Sequence, residues 1–316
     1  MCAVLTGCAP APLHTQSAAF SGALAPVIDA SAEAYRDAIT VHNQREDYEA
    51  VIAYENKDAT YNPRNAPQLM SENDVQARLA VLEALQVYSQ SLLRITEGTA
   101  SPDLDAASVS VGSGVASVGD ALAPSLGSVL AIAGPGTAST GDATSTSANA
   151  SAAAVSPQLR NGISVGVNAL GQFLVSRKIS KELPAQIEQM DPHVELLCRT
   201  LANDAQALRA VEGRDYDRML DLEKQFILED EASTRNSNPQ MLRAEIMKLP
   251  EIGRRQREAN ERLDALRSAL MNLAMTHHAL AAEAQGNNPE GLKEKLSEVA
   301  DAGKKLGKFY SSLPAQ

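Results

Sequence analysis

Apolar residues in the C-terminal half of the chain recur at alternating steps of three and four positions. The series is Leu263, Leu266, Leu270, Leu273, His277 and Leu280. This heptad spacing is the signature of helices that pack side by side with a left-handed crossing. The surrounding pattern predicts one long helix over about 179–230, a second over about 239–285 and a short third over about 289–311. Helices of this length exceed what a compact domain needs, since each residue adds about 1.5 Å.

The composition favours the same architecture. Aromatic residues make up 3% of the chain and tryptophan is absent, so a core must be built from Leu, Ile, Val, Met and Ala. These side chains suit narrow contacts between helices better than a β-sandwich. No alternation typical of a strand bounded by turn residues occurs. We therefore predict an all-α fold, an elongated up-and-down helical bundle with long, coiled-coil-like antiparallel helices.

Two further amphipathic helices are predicted in the N-terminal third. The first covers about 24–55, with Pro26 tolerated in its first turn. A polar loop punctuated by prolines follows at 56–67. The second helix has Ser71 as its N-cap and acidic residues in its first turn, where they complement the helix dipole, and it ends at Gly98. Its apolar stripe is Leu82, Leu85, Leu92 and Ile95.

The middle of the chain is almost uncharged. Between residues 106 and 176 the charged residues are Asp120, Asp142 and Arg160. Small and β-branched residues predict a pair of low-charge helices within 102–176. Glycines inside a helix cost about 0.5–1 kcal/mol each relative to alanine, so their presence here indicates close approach to a neighbouring backbone. The low-complexity run at 137–156 separates the two helices, and we expect it to be mobile.

The low-charge pair has two interpretations. In the first, both helices are buried at the centre of the bundle, where neighbours surround them. In the alternative they leave the bundle as a hairpin and enter a bilayer, a layout similar to that of helical pore-forming toxins. A spanning helix needs about 20 predominantly apolar residues. Both apolar runs are shorter than this, which favours the buried pair.

The N-terminus carries the motif Leu5-Thr6-Gly7-Cys8, followed by a stretch rich in Ala, Pro, Ser and Thr through Ser17. The motif resembles the lipobox at which bacterial lipoproteins are cleaved and acylated. Met1 to Gly7 contain no Lys or Arg and are too few for a full signal peptide, so the signal is interpreted as truncated. The resemblance implies that Cys8 becomes the first mature residue and carries palmitate. Residues 1–17 would then be the truncated signal and a flexible tether, and 18–316 a single elongated bundle.

The resemblance also implies a location. Ala9 is neutral, whereas an aspartate after the cysteine keeps lipoproteins at the inner membrane in many Gram-negative species. The expected site is therefore the outer membrane, on its periplasmic side. With Cys2 removed and Cys8 acylated, Cys198 would remain alone, and its apolar neighbours predict a small buried residue rather than a nucleophile.

The histidines are the first candidates for chemistry. His277 and His278 could form a metal or acid–base site with His42 or Glu283. However, Glu283 lies about one and a half turns away, and no His-Glu-x-x-His arrangement is present. We interpret His277 as a hydrogen-bonded core residue of the helical seam. The sequence Asp191-Pro192-His193 is interpreted as a break, with Asp191 capping a fresh helix.

No other segment predicts a reaction. Gly112-Ser113-Gly114 and Gly134-Pro135-Gly136 lack the Gly-Lys-Ser/Thr context of a phosphate loop. A Gly-x-Ser-x-Gly elbow is absent. The net charge of −11 and a pI near 5.0 disfavour nucleic-acid binding, which needs clustered Lys and Arg. We thus predict no catalytic, cofactor-binding or metal-binding residue, and Cys8 as the modified position.

The expected function is that of a non-enzymatic, periplasm-facing outer-membrane lipoprotein, a helical module that binds a protein partner or acts as a spacer. The alternative is a membrane-active component that uses residues 106–176. The oligomeric state is left open by the sequence.

Overall fold

The computed structural model describes residues 11–70, 72–97, 166, 169–170, 183–234 and 239–286. These residues contain no strand. They form α1 (Ala11–Glu55), a 3-10 turn (Pro63–Asn65), α2 (Glu72–Glu97), α3 (Leu183–Thr234) and α4 (Pro239–Ala284). The all-α prediction is confirmed for this part of the chain. The long helices predicted over about 179–230 and 239–285 correspond to α3 and α4.

The two longest helices, α3 and α4, form an antiparallel hairpin. An ion pair joins Arg262 Nη2 to Glu212 Oε1 at 3.1 Å. Nearer the start of α3, Asp191 bonds His277 at 2.9 Å. Sequence numbers therefore rise along one helix as they fall along the other. With 52 residues, α3 is about 78 Å long at 1.5 Å per residue.

The other two helices continue the up-and-down order. Tyr35 and Glu49 of α1 bond Asp204 and Arg218 of α3, so these two helices run parallel. Between α1 and α2, His14 lies 3.5 Å from Glu97. Ser21 and Ser89, each further inside its helix, also meet. Helix α2 is therefore antiparallel to α1, and the described helices alternate in direction as predicted.

The bundle has two unlike ends. Near Ala11 and Leu183, α1, α2, α3 and α4 all pack on one core; we call this the N-terminal end. Moving away from it, α2 has its first residue at Glu72, and α1 finishes at Glu55. Beyond those points the α3–α4 hairpin continues with fewer neighbours. We call this opposite end, where α1 finishes and α3 connects to α4, the hairpin end.

The predicted seam of α4 is confirmed as the centre of the core. Each of its members is no more than 2% exposed, and the set is Leu263, Leu266, Leu270, Leu273, His277 and Leu280. The α2 stripe packs against the same core, with Leu82, Leu85 and Leu92 fully buried and Ile95 partly buried. A second, smaller cluster lies towards the hairpin end and consists of Val41, Tyr216, Met219, Ile252 and Ala259.

Helix α1 begins earlier than the sequence predicts. It starts at Ala11 rather than near Leu24, and Leu13 and Ser17 are buried in it. The flexible tether predicted through Ser17 is therefore wrong over 11–17, and the bundle begins at Ala11 rather than at residue 18. The physical reason is that Leu13, Ser17 and Phe20 recur at steps of four and three residues on one buried face, and that Pro12 falls in the first turn, where its missing N–H costs no helical hydrogen bond.

Helix α3 shows a second difference. It runs without interruption through Pro192, so the predicted break at Asp191-Pro192-His193 is wrong. Proline removes one backbone hydrogen bond. The neighbouring Met190 and Val194 are both buried, and their packing holds the helix together across this site.

Most of the low-charge segment lies outside the described residues, including the run at 137–156. The same applies to the helix predicted over 289–311. Within the segment, Gly166, Ala169 and Leu170 are helical, and Leu170 is fully buried. A Cβ atom on Gly166 would lie 3.3 Å from Leu197 Cγ. The close approach predicted for the glycines is thus found here, against α3. Among the described helices, none has an apolar stretch of the length and hydropathy needed to cross a membrane.

Candidate functional site

The seam of α4 places His277 between α2 and α3. Its Nδ1 donates to Asp191 Oδ1 at 2.9 Å, and its Nε2 accepts from the Tyr88 hydroxyl at 2.8 Å. The ring is fully buried, and this burial lowers the pKa of His277 despite the nearby carboxylate. The imidazole is therefore neutral, with both ring nitrogens bonded. The prediction of a hydrogen-bonded core histidine is confirmed.

Asp191 joins two consecutive histidines. His278 Nδ1 lies 2.6 Å from its second oxygen, and His278 is exposed. Burial opposes ionisation of Asp191, but hydrogen bonds from His277 and His278 outweigh it and lower the pKa of the carboxyl group. The carboxylate thus ties α3 to α4 rather than capping a fresh helix.

The grouping proposed for a metal or acid–base site does not form. His42 bonds Asp215 towards the hairpin end, far along the bundle from His277 and His278. Glu283 is partly buried in the last turn of α4. Across the described ranges, no group of three or more His, Cys, Asp or Glu side chains is arranged to hold a metal ion.

A second buried polar group joins α1, α2 and α3. Arg78 Nε and Nη2 donate to the two oxygens of Asp204 at 2.8 and 3.2 Å, and neither side chain is exposed. The Tyr35 hydroxyl donates to the same carboxylate at 2.8 Å. Burial raises the pKa of Tyr35 well above its usual value. A buried charge pair is tolerated only with such complete partnering.

Sequence reasoning missed this group, although one signal was available. Arg78 lies four residues before Leu82, so the apolar stripe of α2, extended back by one turn, arrives at a charged residue. A charge on the buried face of a helix requires a partner of opposite sign. The sequence could have flagged Arg78, but it could not identify Asp204, which is 126 residues away.

Towards the hairpin end, His42 has both ring nitrogens bonded to acceptors. Nδ1 lies 3.0 Å from Asp215 Oδ2, and Nε2 lies 3.0 Å from the Pro67 carbonyl oxygen. The hydrogen bond to Asp215 raises the pKa of His42. Arg45 Nε donates to the other oxygen of Asp215 at 3.1 Å. An open cleft of about 380 Å³ lies beside this group, lined by Arg45, Glu46, Glu49, Ile52, Ala53, Asn56, Asp58, Tyr61 and Pro67.

Two buried carboxyl groups on α3 lack full partnering. Glu212 Oε2 has no hydrogen-bond partner, although Arg262 donates to its other oxygen. Burial raises the pKa of Glu212 to about 7. Burial, with the nearby Glu245, also raises the pKa of Glu223 to about 7. Lys248, the cation nearest to Glu223, remains 3.9 Å away.

The hairpin end also carries most of the uncovered apolar surface. Seven large apolar side chains in the described part of the chain are exposed, and Met275 is the one at the other end. The remaining six are Val51, Tyr54, Leu228, Met241, Ile246 and Met247. A concentration of exposed apolar side chains at one end of a helical bundle marks an interaction surface more often than scattered single residues do. This end is the candidate functional site.

The cysteines divide into two cases. Cys198 is fully buried, as predicted, and burial raises the pKa of its thiol to about 12. A thiol in this state is not a nucleophile at neutral pH. Cys8, the predicted lipidation site, lies outside the described residues, and so does Cys2.

Comparison with known proteins adds no template for this arrangement. No protein-family model, curated protein or solved structure matches the chain. The burial, charge and position of side chains in the described helices are therefore what bears on its function.

Proposed function

We propose that the chain is a lipid-anchored helical spacer on the periplasmic side of the bacterial outer membrane. In this proposal Cys8 carries the lipid, and the bundle holds the hairpin end away from the membrane to meet a protein partner. The protein acts by binding rather than by turnover. The observation that carries the proposal is that α1 begins three residues after Cys8 in the sequence and ends at the hairpin end, where the exposed apolar side chains gather.

Helix α1 sets the distance between the two ends. Its 45 residues span about 67 Å at 1.5 Å per residue. Cys8 precedes Ala11 by three residue steps, which reach at most about 11 Å. A lipid on Cys8 would therefore place the N-terminal end at the membrane surface. Val51 and Tyr54, in the last turns of α1, would project far from it.

The state of the polar side chains supports binding rather than catalysis. His277 and Arg78 are fully buried, and their polar atoms bond to other side chains of the bundle. Neither can reach a substrate. The exposed apolar side chains of the hairpin end suit contact with a protein partner.

Palmitate labelling of the full-length gene product in bacterial cells tests the anchor. We expect label in the wild type and its loss in Cys8→Ala. Cys2→Ala is the matched control and should keep the label, because Cys2 precedes the expected cleavage site. Label that persists in Cys8→Ala contradicts the proposal. Liposome leakage that depends on residues 106–176 would favour the membrane-active alternative instead.

A further inference from the structure

The outward face of α4 near the hairpin end carries a basic stripe. We define it as Arg243, Met247, Pro250, Arg254 and Arg257, which follow one another at steps of four, three, four and three residues and are all exposed. Residues at these steps share one helix face. The stripe is cationic at three of its five positions, in a chain whose net charge is −11. Met247, which is 61% exposed, supplies its apolar centre.

The outward face of α1 at the same end has the opposite character. We define its acidic stripe as Asp47, Val51, Tyr54 and Glu55, which are all exposed. The carboxylates flank two apolar side chains, with Val51 49% and Tyr54 86% exposed. The negative end of the α1 dipole lies here too, and no basic residue occupies the last turn of the helix. Both helices thus combine exposed charged and apolar side chains, and the charges are negative on α1 and positive on α4.

From this complementarity we infer that the hairpin end is a homodimer interface, in which the acidic stripe of each copy packs on the basic stripe of the other. The inference rests on the proposed function and deepens it, because it names the partner of the exposed end as a second copy of the chain. One copy carries both stripes on neighbouring helices, so a twofold axis forms both contacts at once.

The spacing of the two stripes allows a matched register. With α1 of one copy antiparallel to α4 of the other, Val51 lies against Met247. Tyr54 then lies beside Arg243, where an arginine over an aromatic ring is favourable. Glu55, one turn after Val51, faces Arg243, one turn before Met247. Apolar surface therefore meets apolar surface, and a carboxylate meets a guanidinium.

The same symmetry agrees with anchoring in one membrane. Within one copy α1 and α4 run antiparallel, so a twofold axis parallel to the bundle keeps the antiparallel order across the interface. Both N-terminal ends then lie on the same side. Two lipids inserted together hold a protein at a membrane far more firmly than one. Dimerisation at the hairpin end would thus reinforce the anchor.

Sedimentation of the 316-residue chain, purified without lipid, tests the inference. We expect the mass to rise with concentration from 33.4 kDa towards twice that value, and the dimer to weaken as salt is added. Met247→Glu and Val51→Glu should each shift dissociation to at least tenfold higher concentration. Met275→Glu, an exposed methionine at the other end, is the matched control and should leave the dimer unchanged.

Exchanging the charges of a facing pair distinguishes a direct contact across the interface from a general loss of folding. Arg243→Glu should weaken the dimer, and the double variant Glu55→Arg with Arg243→Glu should restore it. A chain that remains monomeric at every concentration overturns the inference, as does a dimer that ignores Val51 and Met247. Labelling at Cys8 is read independently. A labelled monomer therefore contradicts the dimer alone, and an unlabelled dimer contradicts the anchor alone.

Discussion

Buried charged groups are partnered differently in the large core and towards the hairpin end. Within the large core, Arg78 and Asp204 are fully buried and bond each other through two hydrogen bonds. His277 likewise has both ring nitrogens bonded. Towards the hairpin end, buried Glu212 and Glu223 each keep one oxygen without a hydrogen-bond partner. The first arrangement favours one rigid packing, whereas the second leaves the structure less strongly held.

Apolar burial follows the same division. The large core belongs to the N-terminal end, while the cluster towards the hairpin end has five buried members. The exposed apolar side chains also gather at the hairpin end. Most buried apolar side chains and most exposed ones therefore lie towards opposite ends, as expected where an interaction surface must remain uncovered.

The largest expected effect concerns the buried ion pair. Arg78→Met leaves the Asp204 carboxylate buried without its main partner, which typically costs about 3–5 kcal/mol. Urea denaturation should show this loss in the free energy of unfolding. Arg199→Met removes an exposed pair with Glu195 and should cost less than about 1 kcal/mol. Equal effects of the two variants would remove the contrast between buried and exposed pairs.

The next effect depends on pH. The folded pKa of Glu212 is raised to about 7 from 4.5, so the folded state binds more protons between these values. The resulting stability is complete below pH 4.5 and is lost as pH rises through 7. From pH 5 to 8 the loss is on the order of 2–3 kcal/mol. Glu212→Gln should not show this pH-dependent loss, so the variant becomes more stable relative to wild type as pH rises.

Comparing Glu212→Gln with wild type also removes the contribution of His277, which changes the free energy of unfolding with pH in the opposite direction. The pKa of His277 is lowered in the fold, so its contribution is present above pH 6.5 and lost as pH falls through the folded pKa. Both proteins contain His277, so its pH-dependent contribution cancels when their free energies of unfolding are subtracted. Parallel stability curves for the two proteins from pH 5 to 8 would contradict the assignment to Glu212.

A smaller effect is expected at the histidine of the seam. His277→Leu restores a leucine to the heptad but removes the buried hydrogen bond between the Tyr88 hydroxyl and His277 Nε2, at a cost of about 1–3 kcal/mol. Adding Tyr88→Phe removes that hydroxyl and should recover most of the loss in chemical denaturation. No recovery in the double variant would mean that His277 acts through packing and not through this hydrogen bond.

The smallest effect lies at the end of α1. Lys57 has a φ of 54°, and the Lys57 and Asp58 amides bond the carbonyls of Tyr54 and Ala53. This is the Schellman pattern, in which glycine is preferred at the left-handed position. Lys57→Gly should stabilise the fold by about 1 kcal/mol, measured by thermal and urea denaturation. Lys57→Ala keeps the Cβ atom and should show no comparable gain.

Local rules predicted the helices of the bundle well. The steps of three and four residues from Leu263 to Leu280 predicted the seam, because a helix repeats its buried face at that interval. Ser71 and Gly98 predicted the ends of α2, since the cap residues act within one turn. The early start of α1 at Ala11 was missed because Ala, Pro, Ser and Thr together are typical of a tether, although Pro12 is tolerated in the first turn of a helix.

Such local rules predicted less about the buried polar groups. His277 was identified as a core residue by its seam position alone. Its partners Tyr88 and Asp191 come from other helices, and Asp191 was assigned a different role because Pro192 follows it. The hairpin end was not predicted either. Whether Met247 is exposed depends on where α1 and α2 end relative to α4, which is a property of the assembled bundle.

The unequal stability of the two ends is the central claim, and native-state hydrogen exchange along α3 tests it most directly. Amides around Ile187–Leu208, in the large core, should show the strongest protection, near the global free energy of unfolding. Those around Met219–Leu228 should exchange through smaller openings, at least tenfold faster, when the chain is monomeric. Equal protection along the whole helix, or stronger protection at the hairpin end, would contradict the account.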